Sequence, residues 1–145
     1  MKISEIMTSD VQIAAPDDTI QEAARKMEEA DIGFLPVGEN DKLVGMLTDR
    51  DIALRAVAQG KDPKKTKVRD VMTKRVLYCT ADEDVEDAAS NMAELRIRRL
   101  PIVDQDKRLV GVVSIGDIAF RENPQMAGQA LESVVNPNGG ARTPA

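Results

Sequence analysis

The sequence lacks several residue types on which common protein chemistry depends. It has no histidine and no tryptophan, and it has only one cysteine, one tyrosine and two phenylalanines. The absence of histidine removes the commonest general base and the commonest metal ligand. A single cysteine, Cys79, excludes an intramolecular disulfide and favours a reducing compartment. So few aromatic side chains also argue against the stacking platforms that bind single-stranded nucleic acid.

Charge and hydropathy narrow the class of protein further. The formal net charge is −5, whereas nucleic-acid-binding proteins usually carry a basic balance. No apolar run approaches the ~20 residues that a membrane-spanning helix needs. The segment that follows Met1 shows no signal-peptide pattern. We therefore expect a cytoplasmic protein with no membrane or nucleic-acid partner, no metal site and no catalytic cofactor.

What the chain does have is an internal repeat. The stretch LVGMLTDRDIA at residues 43–53 returns as LVGVVSIGDIA at residues 109–119. The similarity extends back to Met7-Thr8, which returns as Met72-Thr73 at an offset of 65. Two halves of about 60 residues are each small for an independent core, so we expect them to pack as a pseudo-twofold pair.

Each half predicts the same order of elements, β-α-β-β-α, and hence an α+β fold. In the first half, Thr19 and Glu22 form a capping box before a helical stripe, and Gly33 suits a left-handed helix exit. Two short strands around a polar turn follow, and then a helix closed by Gly60. The predicted domains are repeat 1 (1–60), a linker (61–67), repeat 2 (68–122), a short C-terminal helix (123–135) and a disordered tail (136–145).

A hydroxyl residue and an aspartate stand where each predicted strand turns into a helix. The pairs are Thr48 with Asp51 and Ser114 with Asp117. One interpretation is a capping box, in which these side chains satisfy free backbone N–H groups. The same geometry suits a nucleotide, because a helix start attracts phosphate and a carboxylate can accept both hydroxyls of a ribose. The two interpretations are compatible, and the motif alone does not choose between them.

The order of these motifs resembles the tandem CBS domain, also called the Bateman module. The resemblance rests on ISEIMTSD and VRDVMTKR, and on IGFLPVGENDKLVGMLTDRDI and IRRLPIVDQDKRLVGVVSIGDI. It covers roughly residues 1–122 and is especially similar to small stand-alone bacterial CBS-pair proteins. The resemblance implies two clefts that take adenosine-bearing ligands such as AMP, ADP, ATP, NAD or S-adenosylmethionine.

Carried over position by position, the resemblance implies which residues bind the ligand. The aspartate of each cleft holds the ribose hydroxyls, the hydroxyl residue faces phosphate, and apolar residues bracket the adenine. One cleft is expected to use Met46, Thr48 and Asp51, and the other Val112, Ser114 and Asp117 with Arg98 or Arg99. Ile32 and Ile97 match positions that line adenine, some adenine contacts come from the other repeat, and the further expected ligand-binding residues are Gly33 and Arg50. For the isoleucines ordinary core packing is an alternative, and for the arginines a solvated cation is.

The two clefts are expected to differ in charge. Arg98 and Arg99 stand where the first repeat has Gly33 and Phe34. Strand alternation sends the two arginines to opposite faces, so at most one of them faces a given cleft. A charge-assisted contact there predicts a preference for ligands with more phosphate.

These features predict a non-catalytic sensor that signals to a regulated protein by conformational change. One alternative is a CBS pair that dimerises and docks a partner without any ligand. An enzyme that uses Asp51 and Asp117 as acid and base is disfavoured, because the repeat places them in separate clefts. The segment DIALRAVAQG at residues 51–60 is apolar on most sides, which predicts that the protein is a homodimer.

Overall fold

The computed structural model describes residues 1–74, 76, 78–95, 97–121 and 124–135. The tail predicted at 136–145 lies outside these residues. The chain divides into two compact units. Unit 1 comprises Met1–Asp10, Leu77–Gln105 and Val110–Ala145, and unit 2 comprises Val11–Val76 and Asp106–Leu109. These units and the repeats read from the sequence are therefore different divisions of the same chain.

Unit 2 is built around a helix and a β-hairpin. Its elements are α1 (Ile20–Ala30), β1 (Phe34–Glu39), β2 (Lys42–Thr48), α2 (Asp49–Ile52), a π-helical turn that continues α2 (Ala53–Val57), and α3 (Val68–Val71). Strands β1 and β2 are antiparallel, with a register shift between Val37 and Gly38. Asn40 and Asp41 both have positive φ (54° and 66°), as a tight hairpin turn requires.

Unit 1 repeats this plan and adds a helix. A 3₁₀ turn (Ile3–Glu5) is followed by β3 (Cys79–Thr80), α4 (Val85–Leu95), β4 (Arg99–Val103), β5 (Leu109–Ser114), α5 (Ile115–Arg121) and α6 (Pro124–Val135). Strand β3 pairs in parallel with β4, and β4 lies between β3 and β5. Helix α6 packs against α4 and α5. It forms in the segment for which the sequence predicts a short C-terminal helix.

Each unit has its own apolar core. In unit 2 the fully buried side chains include Ile20, Leu35, Val37, Leu47, Val68 and Val71. In unit 1 they include Ile3, Ile6, Met92, Leu100, Ile102 and Ile118. The helical stripe and the strands identified from the sequence supply most of these residues, which confirms the α+β fold class.

The N-terminal segment of each repeat packs in the unit that holds most of the other repeat, so the two segments are exchanged. In unit 1, the Thr8 N–H donates to the Val112 carbonyl at 2.9 Å, and the Val112 N–H donates back at 2.9 Å. In unit 2, the Thr73 N–H donates to the Met46 carbonyl at 2.8 Å, and the return bond is 2.9 Å. The segment that begins one repeat therefore completes the sheet edge of the other.

This exchange explains the glycine of the repeated LVG motif. A Cβ at Gly111 would lie 2.7 Å from Met7 Sδ and 3.0 Å from the Thr8 carbonyl oxygen. A Cβ at Gly45 would lie 2.7 Å from Met72 Sδ and 3.0 Å from the Thr73 carbonyl oxygen. The Met-Thr motif and the LVG motif therefore recur together because the backbone of one lies directly against the backbone of the other.

The helix boundaries agree with the sequence at the first capping box and at Gly60. The Glu22 N–H donates to Thr19 Oγ1 at 3.2 Å, and the Thr19 N–H donates to Glu22 Oε2 at 3.3 Å. Gly60 has a φ of +71° and closes the helical segment with a bond to the Val57 carbonyl at 3.1 Å.

The prediction that Gly33 forms the left-handed exit of α1 is wrong. The left-handed residue at the end of α1 is Asp31, with a φ of 54°. An aspartate tolerates this conformation because its short polar side chain can bond locally. Gly33 is instead a close-approach position, because a Cβ there would lie 2.8 Å from Asp49 Oδ2.

Two local features differ from the expected element order. The first strand of repeat 1 is reduced to a single bridge between Ala14 and Val37, and a short helix, α3, precedes Met72. The segment 61–67 is held against the start of α1, since the Ile20 N–H donates to the Thr66 carbonyl at 2.9 Å and Thr66 is buried.

Candidate functional site

The two hydroxyl–aspartate pairs are reciprocal capping boxes at equivalent places. In unit 2, the Asp51 N–H donates to Thr48 Oγ1 at 3.0 Å, and the Thr48 N–H donates to Asp51 Oδ2 at 3.0 Å. In unit 1, the Asp117 N–H donates to Ser114 Oγ at 3.0 Å, and the Ser114 N–H donates to Asp117 Oδ2 at 2.8 Å. The capping interpretation of both motifs is therefore confirmed.

Some polar atoms of each capping box remain available to bond another group. Only Oδ2 of each aspartate is used by the box, so Oδ1 can accept from another group. The hydroxyls of Thr48 and Ser114 accept within the box and keep their own proton to donate. The Asp51 side chain is 14% exposed, so its carboxylate is accessible yet held in one orientation. Capping and ligand binding are therefore compatible at both boxes.

The start of the first strand of each hairpin lies beside the start of the following helix. The Asp49 N–H donates to the Gly33 carbonyl at 2.9 Å, and the Ile115 N–H donates to the Arg98 carbonyl at 3.0 Å. Ile32 and Ile97 are half-buried and pack against the edges of the two cores. The structure therefore brings Ile32-Gly33 close to one box and Ile97-Arg98 close to the other.

The Met-Thr segments also lie beside the strands that lead into the two boxes. The sequence patterns did not predict these segments as part of the site. Met46 is half-buried and pairs with Thr73, and Val112 is 7% exposed and pairs with Thr8. The recurrence of Met-Thr was visible in the sequence. In each unit the threonine of this motif pairs with the strand residue two places before the box. This pairing depends on the exchange of segments, which the sequence does not reveal.

The three arginines expected near a ligand, Arg50, Arg98 and Arg99, are all exposed. Arg50 lies in the first turn of α2, immediately before Asp51. Arg98 precedes β4, and Arg99 is its first residue.

A surface cavity of about 410 Å³ opens on the helical side of unit 2. It is lined by Ala24, Met27, Glu28, Asp31, Ile32, Gly33, Asp49 and Ile52. It therefore includes Ile32 and Gly33 but neither member of the Thr48–Asp51 box. Its three carboxylates make it unsuited to a phosphate.

Two titratable groups, Asp17 and Cys79, have shifted pKa values. A hydrogen bond of 2.6 Å from the Arg69 guanidinium lowers the pKa of the Asp17 carboxyl, before α1. Burial raises the pKa of the Cys79 thiol, on β3, to about 12. Asp17 belongs to an exposed ion pair and Cys79 to the core of unit 1. These groups therefore have structural roles.

Metal clusters and membrane-spanning helices are both absent from the part of the chain that the structure describes. Within those ranges, no three His, Cys, Asp or Glu side chains come together as a metal site would require. The helices in the same ranges include none with the length and apolarity to span a bilayer.

The fold and the paired boxes define a class: two small α+β repeats, each with a hydroxyl–aspartate box at a strand-to-helix junction. The family model described as "CBS domain" matches residues 3–57 and 68–122. The chain belongs to the CBS-domain family, and it carries two such domains in tandem. CBS pairs are regulatory modules, and stand-alone CBS-domain proteins are generally not catalytic.

Similar proteins support this assignment over nearly the whole chain. The CBS domain-containing protein YhcV of Bacillus subtilis is 44% identical over 137 residues, which are 94% of this chain and 96% of that protein. The crystal structure of Hypoxic Response Protein I with two coordinated zinc ions has a TM-score of 0.77 at 35% identity, over 83% of this chain and 98% of that one.

A further solved structure contains ligands. It is the CBS domain pair of protein MJ0100 in complex with 5′-methylthioadenosine and S-adenosyl-L-methionine. It has a TM-score of 0.72 at 33% identity and covers 82% of this chain and 93% of that chain. Both of its ligands contain adenosine.

Proposed function

We propose that this protein is a non-catalytic regulatory module that binds adenosine-containing ligands and signals to a partner protein by a conformational change. The observation that carries the proposal is the twofold occurrence of one polar arrangement. An oriented aspartate and a hydroxyl with a free proton lie beside a half-buried isoleucine in each unit. The relative that binds S-adenosylmethionine and methylthioadenosine supports adenosine as the shared chemistry.

Each group has a definite task in the proposed binding. The unused carboxylate oxygen of Asp51 or Asp117 accepts hydrogen bonds from the ribose hydroxyls. Thr48 or Ser114 donates its hydroxyl proton to a phosphate oxygen. Apolar side chains contact the two faces of the adenine, with Ile32 and Met46 at one site and Ile97 and Val112 at the other.

The exposed arginines would set the preference for charge. Gly33 and Arg98 occupy equivalent positions in the two repeats, so the Ser114–Asp117 site gains a cation at a position where the other site has a glycine. Because Arg98 and Arg99 alternate in direction, only one of the two faces this site, and Arg50 is the cation expected beside Asp51. We therefore propose that the Ser114–Asp117 site favours AMP, ADP, ATP or NAD, which carry phosphate groups.

A second candidate function is ligand-independent association with another protein. Its supporting observation is a set of exposed apolar side chains on the helices that follow the boxes: Leu54 (48%), Val57 (67%) and Phe120 (94%). Leu54 and Phe120 occupy equivalent positions in the two repeats, at an offset of 66. These side chains support a homodimer formed through helices, whether or not a ligand binds.

Titration separates the two candidates. Full-length protein is titrated calorimetrically with AMP, ADP, ATP, NAD and S-adenosylmethionine, with guanosine monophosphate as the control. The sensor proposal expects saturable heat with at least one adenosine compound and none with the guanosine compound. Absence of heat from the whole panel would favour the ligand-independent module.

A further inference from the structure

Arg55 links the Thr48–Asp51 box to the exchanged segment of unit 2. It lies on the π-helical turn that continues α2. Its Nη1 donates to the Val71 carbonyl at 3.0 Å and to the Met72 carbonyl at 3.3 Å, and lies 3.5 Å from Thr73 Oγ1. Its Nε lies 3.8 Å from Asp51 Oδ1. One guanidinium therefore contacts both the carboxylate and the backbone that follows α3.

The oxygen that faces Arg55 is the one left over by the capping box. Asp51 Oδ2 accepts from the Thr48 N–H at 3.0 Å, whereas Oδ1 is directed to the guanidinium. A ribose that binds through Oδ1 must therefore share that oxygen with Arg55. A ligand hydroxyl at Oδ1 would therefore act directly on the ion pair between Asp51 and Arg55.

The segment on the other side of Arg55 is itself part of the sheet edge. Thr73 exchanges two backbone hydrogen bonds with Met46, the strand residue two places before Thr48. Movement of Val71–Thr73 therefore alters the edge of β2. A plane of fixed N–H donors is suited to this link, because a guanidinium can bond a carboxylate and carbonyl groups at the same time.

The backbone that carries Arg55 is locally widened. The Ala58 N–H bonds to the Ala53 carbonyl at 2.9 Å, across five residues. Such π-helical turns are rare and occur frequently at functional sites. The widening occurs over Ala53–Val57, the turn that places Arg55 between Asp51 and the Val71–Thr73 segment.

We propose that Arg55 is a positioning residue that couples ligand binding at Asp51 to the Val71–Thr73 segment. The inference rests on the proposed function, because it requires a ligand that bonds to Asp51. Before the ligand binds, the guanidinium holds the Asp51 carboxylate in its orientation. When a ligand binds to that carboxylate, the ion pair with Arg55 changes, and the other contacts of the guanidinium pass this change to the segment that opens the second repeat. Arg55 makes the regulatory step possible without contacting the ligand.

The test uses the full-length chain, with S-adenosylmethionine as the probe. Backbone amide resonances of Asp51 and Thr73 are followed by NMR during titration, and affinity is measured by calorimetry. The variants are Arg55→Met, which removes all the contacts, and Arg55→Lys, which keeps the charge but loses the planar donors. Arg121→Met is the matched control, because Arg121 stands at the equivalent position of the other repeat.

In the parent we expect both amides to shift with the same dissociation constant. In Arg55→Met the Asp51 amide still shifts, the affinity falls about tenfold, and the Thr73 amide no longer responds. Arg55→Lys should restore part of the Thr73 response, and Arg121→Met should behave as the parent does at both amides.

Two different results would overturn the inference, and they are distinguishable. A Thr73 amide that responds fully in Arg55→Met refutes the coupling while leaving the proposed binding intact. A parent chain in which the Asp51 amide does not respond at saturating probe refutes the binding at this site and the coupling with it. If Arg55→Met does not fold, the response of Arg55→Lys decides, because unchanged behaviour there also contradicts the role of the planar donors.

Discussion

Single polar atoms determine what the two boxes can do. In Asp51 and Asp117 one carboxylate oxygen is bonded to the N–H of the residue that caps the helix. Loss of either carboxylate therefore removes a cap as well as a proposed ligand contact. For this reason a substitution at these positions needs a stability measurement beside the binding measurement.

Cys79 offers a residue-scale prediction about pH. The thiol is 1% exposed and accepts a bond from Asn91 Nδ2 at 3.0 Å, and burial raises its pKa from an ordinary 9.0 to about 12. Below pH 9 the thiol is protonated in both states, so ionisation costs the fold nothing. Between pH 9 and pH 12 only the unfolded chain releases the proton, so the free energy of unfolding should fall as pH rises.

The measurement is denaturant unfolding of the parent and of Cys79→Ala at several alkaline pH values. We expect the parent to lose more stability than Cys79→Ala over the same interval. We also expect Cys79 to be unreactive towards iodoacetamide in the native protein at neutral pH and reactive after unfolding. Equal alkaline losses in the two proteins would contradict the assigned burial.

At the scale of the element, the contact between the Met-Thr segment and the LVG strand determines the fold of each unit. Gly111 lies against Met7-Thr8 with no room for a Cβ. We expect Gly111→Ala to lower the free energy of unfolding by about 1–3 kcal/mol, because the strand and the segment must separate. Denaturant unfolding measures this directly.

Gly128 supplies the matched control for that substitution. It is exposed on α6, and a Cβ there would meet no atom within 4 Å. Gly128→Ala should therefore raise stability by about 0.5–1 kcal/mol through the helix propensity of alanine. If both substitutions were neutral or stabilising, the close approach at Gly111 would be wrong.

The elements show which parts of the fold could be predicted from the sequence. Periodicity and capping patterns are local, so they predicted the start of α1 after Thr19 and, separately, the end of the second helical segment at Gly60. The exchange of Met7-Thr8 and Met72-Thr73 depends on distant pairing, which no local pattern reveals. The close approach at Gly33 was missed for a similar reason, because the space there is set by Asp49 on another element.

The same distinction between local and distant contacts applies to the candidate site. The hydroxyl–aspartate boxes could be located because both of their members lie within one turn of chain. The Asp51–Arg55 ion pair is local as well, since the two residues are four apart on one helical segment. The contacts of Arg55 and Met46 with Thr73 could not be predicted, because they arise only when the second repeat's opening segment packs into unit 2.

At the scale of the whole molecule, the exposed helical side chains predict self-association. Among the described residues, α6 packs on α4 and α5 and leaves Leu54 and Val57 exposed, so we expect a second chain to cover these side chains. We expect a homodimer in light scattering at micromolar concentration. Val57→Glu should weaken the dimer at least about tenfold, because the carboxylate would be buried at an apolar contact.

Gln59→Glu is the control for added charge, since Gln59 is exposed on the same helical segment. This variant should remain dimeric. A monomer mass for the parent, both alone and with S-adenosylmethionine added, would contradict the expected dimer.

The most direct test of the central claim is calorimetric titration of S-adenosylmethionine and AMP into the parent, Asp51→Ala, Asp117→Ala and the double variant. Each single substitution should weaken binding at one site by roughly thirty- to a hundredfold, or about 2–3 kcal/mol, and the double variant should bind neither compound measurably. Unfolding measurements confirm that each variant is folded. Binding by the folded double variant with the affinity of the parent would contradict the claim that these two aspartates hold the ligand.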